Sequence, residues 1–235
     1  MKYDEIPDNM QQKCLCVFVL DVSGSMRKDN AIGCLNDAIH QFYDDIVYGR
    51  NGVSKATVGR LEVAIIAFDQ EPKVLRPTAS TTSLLLSRSE TPPVLTSRGS
   101  TTDTVKALDA ALDIIAQRKR FYDRTGQTYH RPWIVLMTDG RTSSDPVEVE
   151  RIERRINEEI RGKHLSMIGV AVGNDVPMAE LNRLCGGHGC ALEGLRFGQF
   201  FQWLSNSLSA ITQSNDNGNI DIATGADDWM RNYQI

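Results

Sequence analysis

The sequence predicts an α/β fold: a doubly wound, mostly parallel sheet with helices on both faces. Short, nearly all-apolar runs such as Cys14–Leu20 and the "WIVLM" that begins at Trp133 read as strands buried on both sides. They alternate with segments whose apolar residues recur at steps of three and four, as amphipathic helices require. Two of the apolar runs close on an aspartate, Asp21 and Asp139. In such a sheet, that places both carboxylates at the carboxyl edge of the strands, where ligands bind.

The elements follow in order. After Cys14–Leu20 comes the polar turn "DVSGS", then Ile32, Leu35, Ile39, Phe42 and Ile46 on one helical face, with Asp29 or Asn30 placed to cap it. "GRNGVSKATVG" is a loop by its Gly, Asn and Ser content. "RLEVAIIAFD" is a second strand and "KVL" a short edge strand. Residues 76–100, rich in Thr, Ser and Pro, are too long for a plain connection, and loops of that length are often functional. A helix begins near Thr102 or Asp103, carried by Val105, Leu108, Leu112 and Ile115. "WIVLMTDG" is the next strand. A charged helix follows, with Val149, Ile152, Ile156 and Ile160 on its buried stripe and Glu150 and Arg154 in i,i+4 spacing on a solvated face. "HLSMIGVAVG" is a further strand, and Phe197, Phe201, Leu204, Leu208 and Ile211 form the core stripe of a last helix.

With 235 residues and no internal repeat, the chain divides into an N-terminal extension (1–12), one domain (13–213) and a tail (214–235). The tail turns rich in Asn, Asp and Gly. Either it is disordered, or Trp229, Tyr233 and Ile235 dock as a short motif, with Asp227 or Asp228 offering a carboxylate to a neighbouring copy.

Composition removes several function classes. With 26 basic against 30 acidic side chains and a formal charge of −4, the chain lacks the basic footprint of a nucleic-acid binder. No run of about 18 apolar residues could span a bilayer, and the start "MKYDEIPDNMQQK" does not resemble a signal peptide. The five cysteines, odd in number and two of them inside a strand, indicate a reducing compartment, so a cytoplasmic location is expected. In "CGGHGC", Cys185, His188 and Cys190 offer three ligands where a structural zinc site needs four.

Asp21, Ser23 and Ser25 stand at alternate positions, so they converge if the turn stays extended. One carboxylate with two hydroxyls is a hard-oxygen set suited to Mg²⁺ or Mn²⁺. Asp139 and a hydroxyl from Thr101 or Thr102 would extend it. A local polar turn would account for "DVSGS" alone, but not for "TDG" closing a second buried strand. The main rival is a Mg²⁺-dependent phosphotransfer enzyme with Asp21 as phosphoryl acceptor. Such an enzyme needs a second acid two residues on, where Ser23 stands. There is no G-x-S-x-G elbow and no phosphate-binding G-x-x-x-x-G-K-[ST] loop.

D-x-S-x-S after the first strand, threonine opening a later helix and "TDG" after another strand resemble a von Willebrand factor A domain with its metal-ion-dependent adhesion site. "RPWIVLMTDG" and "FGQFFQWLSNSLSAITQS" make the chain similar to the bacterial TerY type, named for tellurium resistance, over about Lys13 to Ser214. The resemblance implies a non-enzymatic binding module in which Asp21, Ser23, Ser25, Thr102 and Asp139 hold Mg²⁺ or Mn²⁺ and a partner's carboxylate takes the remaining position. Counting back from Ala107–Leu108 gives Thr102 as the ligand; counting forward from Gly99 gives Thr101. Met26, Arg27, Arg98, Thr101 and Arg141, beside the ligand loops, are then the expected partner contacts. The three arginines would steer an acidic protein toward the site. The TerY likeness further implies a bacterial, cytoplasmic stress or defence system with kinase-like or phosphatase-like partners.

Overall fold

The computed structural model describes residues 8–78, 83–99, 101–214 and 229–231. A seven-stranded sheet is built from β1 (Cys14–Asp21), β2 (Leu61–Phe68), β3 (Pro72–Arg76), β4 (Trp133–Thr138), β5 (Ser166–Ala171), β6 (Gly189–Leu192) and β7 (Met230–Arg231). Their order is β3-β2-β1-β4-β5-β6-β7; β2, β1, β4, β5 and β6 are parallel and the two edge strands antiparallel. The chain leaves β1 for β2 on one side and later places β4 on the other. The topology therefore switches between β1 and β4, with Leu20 paired to Met137 in register just below the crevice.

Every residue of β1, β2, β4, β5 and β6 is buried, which explains why the first four read as apolar runs. Helices α1 (Ala31–Tyr48) and α5 (Phe197–Gln213) cover one face; α2 (Thr104–Thr125), α3 (Pro146–Arg161) and α4 (Met178–Leu184) cover the other. Phe18 of β1, Phe42 of α1 and Phe201 of α5 meet at centroid separations of 5.2, 5.5 and 5.7 Å. This aromatic contact locks the strand that ends in Asp21 to both helices above it.

Several sequence expectations need correction. Asn30 precedes α1 in a left-handed conformation and makes no side-chain cap, because a 3-10 turn over Gly24–Asn30 leads into the helix instead of an extended strand end. On α3, Arg151 and Arg155 are not simply solvated; both pair with Asp109 of α2, at 2.5 and 3.0 Å, and tie the two helices together. Helix α4 ends just before "CGGHGC" and β6 begins inside it, two elements too short to give a periodic signal. Of the two readings of the tail, docking holds for Trp229, which is fully buried against Phe200 and Trp203 (4.8 and 5.1 Å), and the next two residues extend the sheet beyond β6. The other tail residues named above, Asp227, Asp228, Tyr233 and Ile235, lie outside the described residues.

Candidate metal centre

The first loop of the site leaves β1 at Asp21, which is completely buried. Its Oδ1 accepts a bond from the Ser23 backbone N–H at 2.8 Å, and its Oδ2 accepts one from the Thr138 hydroxyl at 2.7 Å. The tight 3-10 turn then brings Ser23 Oγ and Ser25 Oγ to 3.0 Å of each other. Both reach the third loop across the crevice, where Asp139 Oδ1 accepts from Ser25 at 2.8 Å and from Ser23 at 3.4 Å. Residues more than a hundred positions apart in the chain thus share one cluster of oxygens.

The second loop closes the site from the side. A Cβ on Gly24 would lie 2.9 Å from the Gly99 carbonyl, so the two loops touch backbone to backbone and only glycine fits there. Ser97 donates its hydroxyl to the Ser23 carbonyl at 2.6 Å, and the Arg98 N–H bonds the Val22 carbonyl at 2.8 Å. Thr102 is buried while Thr101 is exposed. The Thr102 carbonyl accepts from the Ser143 N–H at 2.7 Å, which joins the second loop to the third. Helix α2 starts two residues later, capped by Asp103 through the Lys106 N–H.

Burial pushes the Asp21 carboxyl above the usual aspartate range against the hydrogen bonds from Ser23 and Thr138, and the nearby Asp139 charge adds to the rise. Asp139 is raised by burial too, with the serine hydroxyls opposing and Asp175 contributing. Among the described residues, neither carboxylate has a lysine, arginine or histidine partner. Nor is there any group of three or more His, Cys, Asp and Glu that could hold a metal. The donor set here is two carboxylates plus hydroxyls, all oxygen, which fits a hard divalent cation whose charge would neutralise the buried Asp21 and the half-buried Asp139. The "CGGHGC" cysteines do not form a rival site. Cys185 packs into the core of one sheet face and Cys190 into that of the other, and burial raises the Cys190 thiol to about 12.

The expected partner contacts fare unevenly. Met26 is fully buried: the 3-10 turn aims it into the core under α1, so it cannot face a partner. Arg27 is exposed and donates to the Ser97 carbonyl at 3.1 Å. Arg98 is paired with Asp69 at 3.3 Å and Arg141 with Glu180 at 3.4 Å, their side chains 47% and 72% exposed. Lys28, 3.7 Å from Asp175, adds a fourth cation to the rim. Sequence reasoning gave no role to Thr138, Ser97 and Ser143, which touch the proposed ligands; the last two stand outside the motifs. Thr138 alone carried a signal, standing directly before Asp139.

A model of the von Willebrand factor type A domain matches residues 16–202, most of the chain and all three ligand loops. The chain belongs to this family. Among solved structures it is similar to a von Willebrand factor type A protein from Catenulispora acidiphila, with 16% identity and a TM-score of 0.60 over 85% of this chain and 43% of that one. It is also similar to proximal thread matrix protein 1 from the mussel byssus with a zinc-occupied MIDAS motif (14% identity, TM-score 0.52, 86% of this chain and 48% of that one). A third likeness is to the N-terminal domain of TFIIH p34 (17%, TM-score 0.50, 87% and 99%). The chain thus spans less than half of the first two proteins. At these identities the likeness establishes the fold. No curated protein sequence matches. No helix among the described residues is long and apolar enough to cross a membrane.

Proposed function

We propose that this type A domain is a non-enzymatic binding module that captures an acidic side chain of a protein partner through a divalent cation. Asp21, Ser23, Ser25, Thr102 and Asp139 would hold Mg²⁺ or Mn²⁺, and the cation supplies an open coordination position that a carboxylate fills. The observation that supports this most directly is the convergence of the Ser23 and Ser25 hydroxyls on Asp139 beside a buried Asp21 that has no cationic partner among the described residues. Thr102 is favoured over Thr101 because it is the buried one of the pair and its backbone is gripped by the third loop. A mussel protein of the same fold carries zinc at its MIDAS motif. The rim residues Arg27, Arg98, Thr101 and Arg141 would then meet an acidic partner surface.

The phosphotransfer alternative fits poorly. Ser23 occupies the place of the general acid that such an enzyme needs. The TerY-like motifs support placing the module in a bacterial, cytoplasmic stress or defence system beside a kinase-like or phosphatase-like protein. The test is titration with Mn²⁺ by calorimetry, followed by capture of a partner in Mg²⁺ and in EDTA. Saturable binding and Mg²⁺-dependent capture, both lost in Asp21→Ala, are expected. Capture that survives EDTA, or a wild-type chain that binds no Mn²⁺, would refute the reading.

A further inference from the structure

The hydroxyl run Thr142–Ser143–Ser144, which follows Asp139 and belongs to no recognised motif, makes an unusual set of contacts with the second loop. Ser143 holds the Thr102 peptide from both sides. Its N–H and its Oγ donate to the Thr102 carbonyl at 2.7 and 2.9 Å, and its Oγ accepts from the Thr102 N–H at 3.2 Å. The Thr142 hydroxyl lies 3.3 Å from the same carbonyl.

The run also completes the start of α2. The first four N–H groups of a helix lack partners within it. Here the Thr104 N–H goes to Thr142 Oγ1 at 3.3 Å and the Val105 N–H to Ser144 Oγ at 3.4 Å. Asp103 takes the Lys106 N–H at 3.2 Å on its side chain and the Ala107 N–H at 3.4 Å on its carbonyl. Ser144 in turn donates to Asp103 Oδ1 at 2.6 Å, so the cap itself is held by the third loop. The run is anchored from behind as well, because the Thr142 N–H bonds Glu180 Oε1 of α4 at 3.1 Å. The second and third loops are therefore joined by a continuous set of hydrogen bonds.

We infer that Ser143, supported by Thr142 and Ser144, is a positioning residue that fixes where the Thr102 hydroxyl points, and so whether it joins the cation's ligand set. This rests on the metal-site reading above. A helix cap alone would need only Thr142 and Ser144. The bracket that Ser143 places around the Thr102 peptide adds nothing to the cap and acts on the one ligand outside the aspartate–serine cluster.

The experiment compares wild type, Ser143→Ala, Ser143→Thr and Ser144→Ala as full chains, with Mn²⁺ as the probe. Outer-shell partners of metal ligands typically change affinity by about 10–100-fold when removed. Ser143→Ala is therefore expected to weaken Mn²⁺ binding about tenfold. It should also raise the water-proton relaxation of the bound ion, because water replaces a lost protein oxygen, while thermal unfolding in EDTA falls no further than in Ser144→Ala. Ser143→Thr, which keeps the hydroxyl, should restore both readouts, and Ser144→Ala should shift unfolding more than affinity. Wild-type binding with an unchanged Ser143→Ala affinity overturns the positioning role and leaves the metal site standing. An affinity loss with unaltered relaxation also overturns it. A wild-type chain that binds no Mn²⁺ overturns the metal-site reading and this inference together.

Discussion

The two ends of the sheet bury carboxylates in opposite ways. At the amino end of the strands, Glu62 is fully buried, and Arg118 grips both of its oxygens at 2.6 and 2.7 Å. The Tyr122 hydroxyl adds a third bond at 2.5 Å, and the buried Lys13 amino group lies close enough to feel the Glu62 charge while it bonds Asn9 and the Gly59 carbonyl. At the carboxyl end, Asp21 is just as buried, but its hydrogen bonds among the described residues come from neutral donors of Ser23 and Thr138. Glu62 is neutralised by the protein itself, as a structural ion pair must be. Asp21 and Asp139 are held in place by neutral donors, and their protons are retained more tightly than usual. Neutral support of two neighbouring acids suits the proposed cation, with which a built-in arginine would compete.

The sharpest way to break this contrast is to remove the cation at the amino end. Arg118→Met leaves Glu62 buried and unpaired, and breaking such a pair costs about 3–5 kcal/mol. Urea unfolding should register that loss while Mn²⁺ affinity per folded molecule stays at the wild-type value. If affinity falls with stability, the two ends are not independent. The mirror experiment is Asp21→Asn, for which calorimetry should show no saturable Mn²⁺ binding while unfolding in EDTA moves by about 1–2 kcal/mol at most. A larger loss would make Asp21 a structural residue like Glu62.

How far these differences could be read from the chain alone depends on the kind of signal each residue gives. Asp21, Ser23, Ser25 and Asp139 stand where buried strands stop, so burial and position together exposed them. The strands and the stripes of α1, α2, α3 and α5 were visible because each spans enough residues for a period to emerge. β6, four residues with a glycine, and α4, seven residues, are too short for that. The direction of Met26 depends on a 3-10 turn that alternation along an extended strand does not foresee. The pairing of Arg98 with Asp69, of Arg141 with Glu180 and of Arg118 with Glu62 joins residues from 29 to 56 positions apart, 56 in the last case. No local pattern encodes such pairs. Ser97 and Ser143 act through backbone atoms of other loops and look like ordinary loop serines in the sequence.

Smaller perturbations sharpen the same picture. Ser97→Ala removes the donor to the Ser23 carbonyl and should cost about 1 kcal/mol in EDTA unfolding, with a modest loss of Mn²⁺ affinity in the same preparation. The least effect concerns pH. The folded-state values of Asp21 and Asp139 are raised, so the metal-free folded chain binds more protons than the unfolded one. The resulting contribution to stability is full below the ordinary aspartate value of about 3.9 and is lost as pH rises through the raised values. In EDTA, the stability of wild type relative to Asp21→Asn should decline over that interval, and Mg²⁺ should reverse the decline at neutral pH. A difference that grows with pH would contradict the raised Asp21.

The burial of Trp229 has a practical consequence for anyone who trims this protein. A chain cut after Ser214 looks reasonable from the sequence, yet it would strip β7 from its neighbour and bare the flank of β6. It would also empty a slot walled by Phe200 and Trp203. Unpaired strand flanks next to apolar surface are sticky. Such a shortened protein should therefore clump on concentration, as light scattering would reveal, even with all three ligand loops intact.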